Sequence, residues 1–97
     1  MFRHGELIIK QVSAVKGKKR SNLILAEGEA TGHKHEITTG EAELYEDNGT
    51  LYLRVESDTA KLTHPDHNTI TLPKGDYEIT IQKEYTVDGE KYRRVMD

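Results

Sequence analysis

A chain of 97 residues is long enough for one domain, and with 34% hydrophobic and 32% charged residues it can build only a thin core. The absence of cysteine excludes disulfides and thiolate metal sites, and a formal net charge of −3 argues against a general nucleic-acid binder. A thin core suits a sandwich or small barrel, in which each strand buries one face and exposes the other. We therefore expect residues 1–97 to form a single all-β domain.

Alternation of apolar and polar residues at period two, interrupted by turn residues, predicts strands along the whole chain. In chain order the predicted strands are residues 7–13, 22–27, 33–38, 42–46, 50–56, 59–64, 69–72, 77–87 and 91–96. Residues 14–22, which are rich in lysine, are predicted to form one long flexible loop. No segment has a sustained apolar stripe at helical spacing.

Three turn signals separate these strands. Asn48-Gly49 and Asp88-Gly89 lie between apolar runs, as is typical of tight hairpins. The segment 73–76 contains proline followed by glycine and predicts a third turn. Short strands joined by hairpins indicate a small antiparallel β-sandwich or barrel, with a jelly roll among the forms it could take.

Two histidine doublets, His33/His35 and His64/His67, are the chemically unusual feature of the sequence. Residues i and i+2 of a strand point to the same face, so His33 and His35 share a face with Ile37. The opposite face of that strand is wholly hydrophilic, and the face that carries Ile37 should be the inner one. Both histidines are therefore predicted to point into the interior or toward the mouth of the fold.

The second doublet follows the same rule in part. His64 alternates with Ala60 and Leu62, so it is also predicted to face inward. His67 follows Pro65-Asp66, a predicted turn. A tight bend there would return His67 to the side of His64, although alternation does not fix its direction.

This constellation has three interpretations. A His-x-His pair presents two imidazoles to one point, and one or two more from a neighbouring strand would complete a site for zinc, nickel, copper or iron. Without a metal, paired histidines can act as general base and general acid, because their pKa lies near neutrality. In the third interpretation they hydrogen-bond backbone carbonyls and hold loops in a non-catalytic module, such as a phage-type accessory or structural protein. The first two interpretations assign the metal-ligating or catalytic roles to His33, His35, His64 and His67.

Four further polar residues are candidates for contacts with a substrate. Lys19 and Arg20 end a basic run that could bind phosphates, although no aromatic residue interleaves it for base stacking and a solvated loop is the simpler interpretation. Gln82 and Glu84 share one face of a predicted strand and could contact substrate or an imidazole N–H, although surface exposure is the simpler interpretation because glutamate is seldom buried. If the basic residues lie beside the histidines, acid–base chemistry on RNA or another phosphodiester is favoured.

Part of the chain resembles the cupins. The run His33-Lys34-His35, followed by Glu41, resembles the first cupin motif, and Pro73-x-Gly75 resembles part of the second. The resemblance implies a cupin-like barrel in which His33, His35 and Glu41 bind the metal. The third cupin histidine is absent after Gly75, so His64 or His67 would have to replace it.

A closer resemblance covers most of the chain. Residues 25–35, with the motif Thr-Gly-His-Lys-His, together with residues 62–67, 72–79 and 82–85, resemble a family of small bacterial and phage proteins with no established activity. The resemblance implies that the two histidine doublets belong to one design. It does not supply a reaction.

The apolar run at residues 7–9 is far shorter than a signal-peptide core or a membrane span. We expect a cytoplasmic protein without membrane association. Its partner would be a small-molecule or nucleic-acid substrate, and the sequence is compatible with a homo-oligomer.

Overall fold

The computed structural model describes residues 1–28 and 32–81, together with the backbone of two strands at residues 85–88 and 91–94. These ranges contain only strands and their connections, which confirms the all-β class. No helix in them is long and apolar enough to span a membrane. The strands are β1 (Phe2–His4), β2 (Leu7–Val12), β3 (Lys18–Lys19), β4 (Ile24–Glu27), β5 (Lys34–Thr39), β6 (Ala42–Asp47), β7 (Thr50–His64), β8 (His67–Ile81), β9 (Tyr85–Asp88) and β10 (Lys91–Arg94).

A long antiparallel hairpin of β7 and β8, each of 15 residues, is the centre of the fold. It belongs to an eight-stranded sheet with the order β1-β2-β8-β7-β5-β4, in which β6 pairs with both β7 and β3. Along its length β7 pairs first with β6 and then with β5. The sheet curls into a half-barrel, and β9 and β10 form a separate two-stranded sheet.

The predicted turn at residues 73–76 is wrong, because these residues continue β8. The register shifts here, with Val55 opposite Gly75 but Thr59 already opposite Pro73. The extra residues of β7 form a bulge, which bends the hairpin instead of ending it. A proline is tolerated at such a bulge. For the same reason the strands predicted at 50–56 and 59–64 are one strand, and the one predicted at 69–72 continues into the one predicted at 77–87, of which β8 contains residues 77–81.

Two short strands were not predicted from the sequence. Phe2–His4 pairs with β2, and Lys18–Lys19 pairs with β6, within the segment predicted as one flexible loop. Strands of two or three residues are too short to show an alternating pattern. The hairpin signals are confirmed: Asn48 and Gly49 both have positive φ between β6 and β7, and Asp88 pairs with Lys91.

The core lies between the facing sides of the curled sheet. It contains the buried residues Leu7, Ile9, Leu25, Ile37, Leu44, Leu53, Val55, Ala60, Leu62, Leu72, Tyr77 and Ile79. Among them are Ile37, Ala60 and Leu62, the residues that alternation assigns to the inner face. Tyr77 is buried with its hydroxyl donating to the carbonyl of Pro73 over 2.6 Å, which satisfies the polar atom inside the core.

Candidate metal centre: a cluster of five histidines

The structure brings the two histidine doublets together. The ring centroids of His35 and His64 are 4.2 Å apart, and those of His64 and His67 are 4.6 Å apart. His35 and His67 are stacked at 5.6 Å, and His33 lies 5.9 Å from His64. These spacings bring the rings of all four predicted histidines into one group.

The fifth histidine of the chain, His4, joins the same group. Its ring lies 4.9 Å from that of His35 and 5.8 Å from that of His67. Sequence reasoning missed His4, because it is a single histidine near the amino terminus with no neighbouring doublet. We call the five residues His4, His33, His35, His64 and His67 the histidine cluster.

Local strand geometry explains the convergence of three of these residues. The turn at Pro65-Asp66 places His64 directly opposite His67 in the β7–β8 ladder. Proline sets φ near −65° and so favours the turn at this point. His35 lies on β5, which pairs with the same end of β7.

Gly5 allows the β1–β2 hairpin to pack closely against the histidine cluster. It lies between His4 and Leu7, which pair across the β1–β2 turn, and its φ is +63°. A Cβ atom at Gly5 would lie 2.5 Å from Nε2 of His67, closer than any real contact. Glycine at this position therefore provides both the backbone conformation and the space for the imidazole.

Exposure increases across the cluster from the core to the surface. His4 and His35 are buried, with exposed fractions of 3% and 1%. His33 and His64 are half-buried, and His67 is exposed. A ligand from solvent could therefore reach His67 and His64 without opening the core.

Among the residues that the structure describes, two carboxylates and two backbone groups hydrogen-bond to the rings. Nδ1 of His33 lies 2.7 Å from Oδ2 of Asp66, and Nε2 of His35 lies 3.3 Å from Oε1 of Glu6. The backbone N–H of Asp66 donates to Nδ1 of His64 over 3.0 Å. Nε2 of His4 lies 2.8 Å from the carbonyl oxygen of Asn68. These bonds fix the orientations of four rings.

The electrostatics differ between the buried and the exposed parts of the cluster. Burial lowers the pKa of His4, against the opposing effect of the Asn68 carbonyl, and the nearby His67 and His64 lower it further. The hydrogen bond from His33 is the main cause of the lowered pKa of Asp66. At neutral pH the cluster therefore contains a neutral imidazole at its buried end and a carboxylate at its surface.

Three of the rings lie close enough together that they could hold a metal ion. His35, His64 and His67 each offer one nitrogen, and these nitrogens all lie within 4.8 Å of one another. With zinc–nitrogen bonds of about 2.0–2.1 Å, nitrogens on a tetrahedron lie about 3.3–3.4 Å apart. The three rings would need to approach by at most about 1.5 Å to hold an ion.

A surface groove runs beside the two half-buried rings, His33 and His64. It is lined by Gly32, His33, Lys34, Glu36, Thr63, His64 and Pro65. The hydrogen-bonded pair of His33 and Asp66 lies at its edge. The groove gives a small molecule access to two of the five histidines.

The structure does not group the predicted basic residues with the histidines. Lys19 pairs with Glu43 over 2.8 Å, and Arg20 pairs with Glu46 over 3.0 Å. Both glutamates lie on β6, which carries no histidine. The described concavities lined by Lys19 or Arg20 are also without histidine. The other two predicted substrate contacts, Gln82 and Glu84, lie outside the described residues.

The ligand set that the cupin resemblance implies is not the one assembled here. Glu41 is exposed after β5, where its N–H bonds to Oγ of Ser57 over 2.9 Å. The three candidate ligands that the fold brings together are His35, His64 and His67, without Glu41. Strand pairing explains the difference, because β5 and the β7–β8 turn supply these rings, whereas Glu41 contacts the bulge of β7.

Comparison with known proteins gives a family and no activity. No curated protein matches the chain, and no solved structure matches it. A family model matches residues 3–82, a segment that includes all five histidines. The chain thus belongs to DUF8820, a family of domains of unknown function.

Proposed function

We propose that this protein binds a divalent transition metal, with zinc as the first choice, through His35, His64 and His67. The observation that carries the proposal is the approach of three ligand nitrogens to within 4.8 Å of one another. Imidazole suits zinc, copper, iron and nickel, so the ligand type does not select one ion. Zinc is preferred because it accepts a tetrahedral site with three histidines.

The surroundings of the three rings support this proposal. His35 is held inside the fold, whereas His67 is exposed and can receive an ion from solvent. The carboxylates of Glu6 and Asp66 accompany the rings and would offset the charge of a cation. Binding through either nitrogen of His64 would displace the Asp66 N–H from Nδ1, because an ion at Nε2 moves the ring proton to Nδ1, which then no longer accepts a hydrogen bond.

Metal content and zinc titration test the proposal. Protein purified without an affinity tag should contain or take up one zinc ion per chain, measured by elemental analysis and calorimetry. The double variant His64→Ala/His67→Ala should lose binding, and because neither residue is buried it should remain folded. The matched control is Asn68→Ala, which removes an exposed side chain beside the cluster but keeps the backbone carbonyl.

Two results would refute the metal proposal. One is wild-type protein that takes up no zinc, nickel, copper or iron at neutral pH. The other is a double variant that binds zinc as tightly as the wild type and the control.

A second candidate function is acid–base catalysis without a metal, acting on RNA or another phosphodiester. The observation that favours it is the bond of 2.7 Å between His33 and Asp66 beside the groove. A carboxylate that orients an imidazole is a common arrangement for a general base. Cleavage of an activated phosphodiester that persists in EDTA and is lost in His33→Ala would support it.

The absence of any cleavage, with or without metal, would remove this second candidate. A folded protein with no bound metal and no cleavage would favour a third function, a non-catalytic module in which the histidines hold loops. Oligomeric state and nucleic-acid binding remain predictions from the sequence.

A further inference from the structure

His4 and His35 form a hydrogen-bonded pair of imidazoles in the buried part of the cluster. Their Nδ1 atoms are 2.8 Å apart, and both rings are almost fully inaccessible to solvent. The other nitrogen of His4, Nε2, is 2.8 Å from the backbone carbonyl oxygen of Asn68. The carbonyl thus begins a chain of hydrogen bonds that continues through His4 to His35.

The direction of each bond follows from the chemistry of its partners. A carbonyl oxygen only accepts, so Nε2 of His4 must carry a proton and donate it to Asn68. A neutral imidazole has one ring proton, which leaves Nδ1 of His4 as an acceptor. Nδ1 of His35 must then carry the proton that lies between the two rings.

We propose that His4 is a positioning residue that accepts the Nδ1–H of His35 and so makes His35 offer its Nε2 to the metal. This inference rests on the proposed metal function and adds to it the choice of ligand nitrogen. Neighbouring groups that bond the second nitrogen of a metal-bound histidine fix its tautomer and ring orientation. Here the group that orients His4 is the backbone carbonyl of Asn68, which a side-chain substitution at Asn68 cannot remove.

Glu6 lies on the opposite side of the same ring. Its Oε1 is 3.3 Å from Nε2 of His35, and because a carboxylate only accepts, this nitrogen carries a proton in metal-free protein that a bound ion would replace. A carboxylate beside this nitrogen would attract a cation to it. Nδ1 of His35 thus faces His4, and Nε2 of His35 faces the candidate metal position.

The first test uses wild-type protein and needs no metal. Long-range proton–nitrogen NMR spectra of metal-free protein at neutral pH report which ring nitrogens carry protons. We expect a proton on Nδ1 of His35 and on Nε2 of His4. A His35 ring without a proton on Nδ1 would overturn the inference, whether or not the protein binds zinc.

The second test compares two substitutions of His4 by zinc calorimetry. In His4→Asn, the side-chain oxygen takes the place of Nδ1 and can still accept from His35. His4→Leu removes the acceptor and fills its place with an apolar side chain of similar size. We expect His4→Leu to weaken zinc binding by about 10–100-fold, as is usual for the loss of such a supporting bond. His4→Asn should restore most of this affinity, and Asn68→Ala should bind like the wild type.

The outcomes separate the two proposals. Equal affinity in His4→Leu and wild type, or equal losses in His4→Leu and His4→Asn, would refute the positioning role while leaving the metal site intact. If no variant binds zinc and the wild type also fails, the metal proposal falls, and the NMR result still decides the tautomer. If His4→Leu does not fold, the comparison of wild type, His4→Asn and the NMR spectra remains decisive.

Discussion

The histidine cluster and the surface formed by Lys19, Arg20, Glu43 and Glu46 differ in how the fold balances their charges. On the surface, each basic side chain has a glutamate of β6 as its ion-pair partner. In the cluster, five imidazoles contact one another, and two carboxylates of the described residues bond to them. Compensated surface pairs are ordinary features of a solvated sheet. A concentration of titratable rings, partly buried, is a candidate functional site.

The two regions also differ in their contributions to the fold. The bonds from His4 join residues that are 31 and 64 positions apart, so they connect the amino terminus to β5 and β8. The ion pairs of Lys19 and Arg20 connect neighbouring strands whose backbones are already paired. Substitution should therefore affect the two regions very unequally.

The largest effect is expected for His35→Ala. The side chain is 1% exposed, and its removal would leave a cavity and deprive Nδ1 of His4 of its partner. We expect a loss of about 2–4 kcal/mol in the free energy of unfolding, measured by urea denaturation of metal-free protein. Lys34→Ala, on the exposed side of the same strand, should leave the unfolding midpoint unchanged. Similar midpoints for the two variants would contradict the packing role of His35.

Acid should destabilise the cluster before it affects the charged surface. Burial lowers the pKa of His4 from 6.5, so below about pH 6.5 the unfolded chain binds protons that the folded chain does not. The contribution of this ring is therefore complete above that pH and is lost as the pH falls. Glu43, whose pKa is lowered by its bond from Lys19, loses its contribution only as the pH falls below about 4.5.

Urea midpoints of metal-free protein, measured between pH 7.5 and 4, report the loss of stability in these two pH ranges. We expect a first decline near pH 6.5 that is smaller in His4→Asn, which has no titrating ring at this position. A decline confined to the acidic window, equal in both proteins, would show that the neutral form of His4 does not stabilise the fold.

Local pattern was sufficient to predict much of the fold and part of the cluster. Alternation places His35 and Ile37 on one face, and both are buried. It could not predict the bend at Pro73, because whether a proline ends a strand or sits opposite a bulge depends on the partner strand. It also could not find His4, whose role depends on contacts with β5 and β8. A single histidine on a strand of three residues has no local signature.

The smallest effect is expected for Lys19→Ala and Arg20→Ala. Lys19 is exposed and Arg20 is half-buried, and both form ion pairs that water and salt screen, so their loss should leave the urea midpoint nearly unchanged. Zinc binding should also be unchanged, since their partners lie on β6 and not in the cluster. Calorimetry of the double variant in low and high salt checks this expectation. A loss of zinc affinity or of phosphodiester cleavage would show that the charged surface and the cluster act as one site, because the basic side chains would then have to leave their glutamates to reach the ligand.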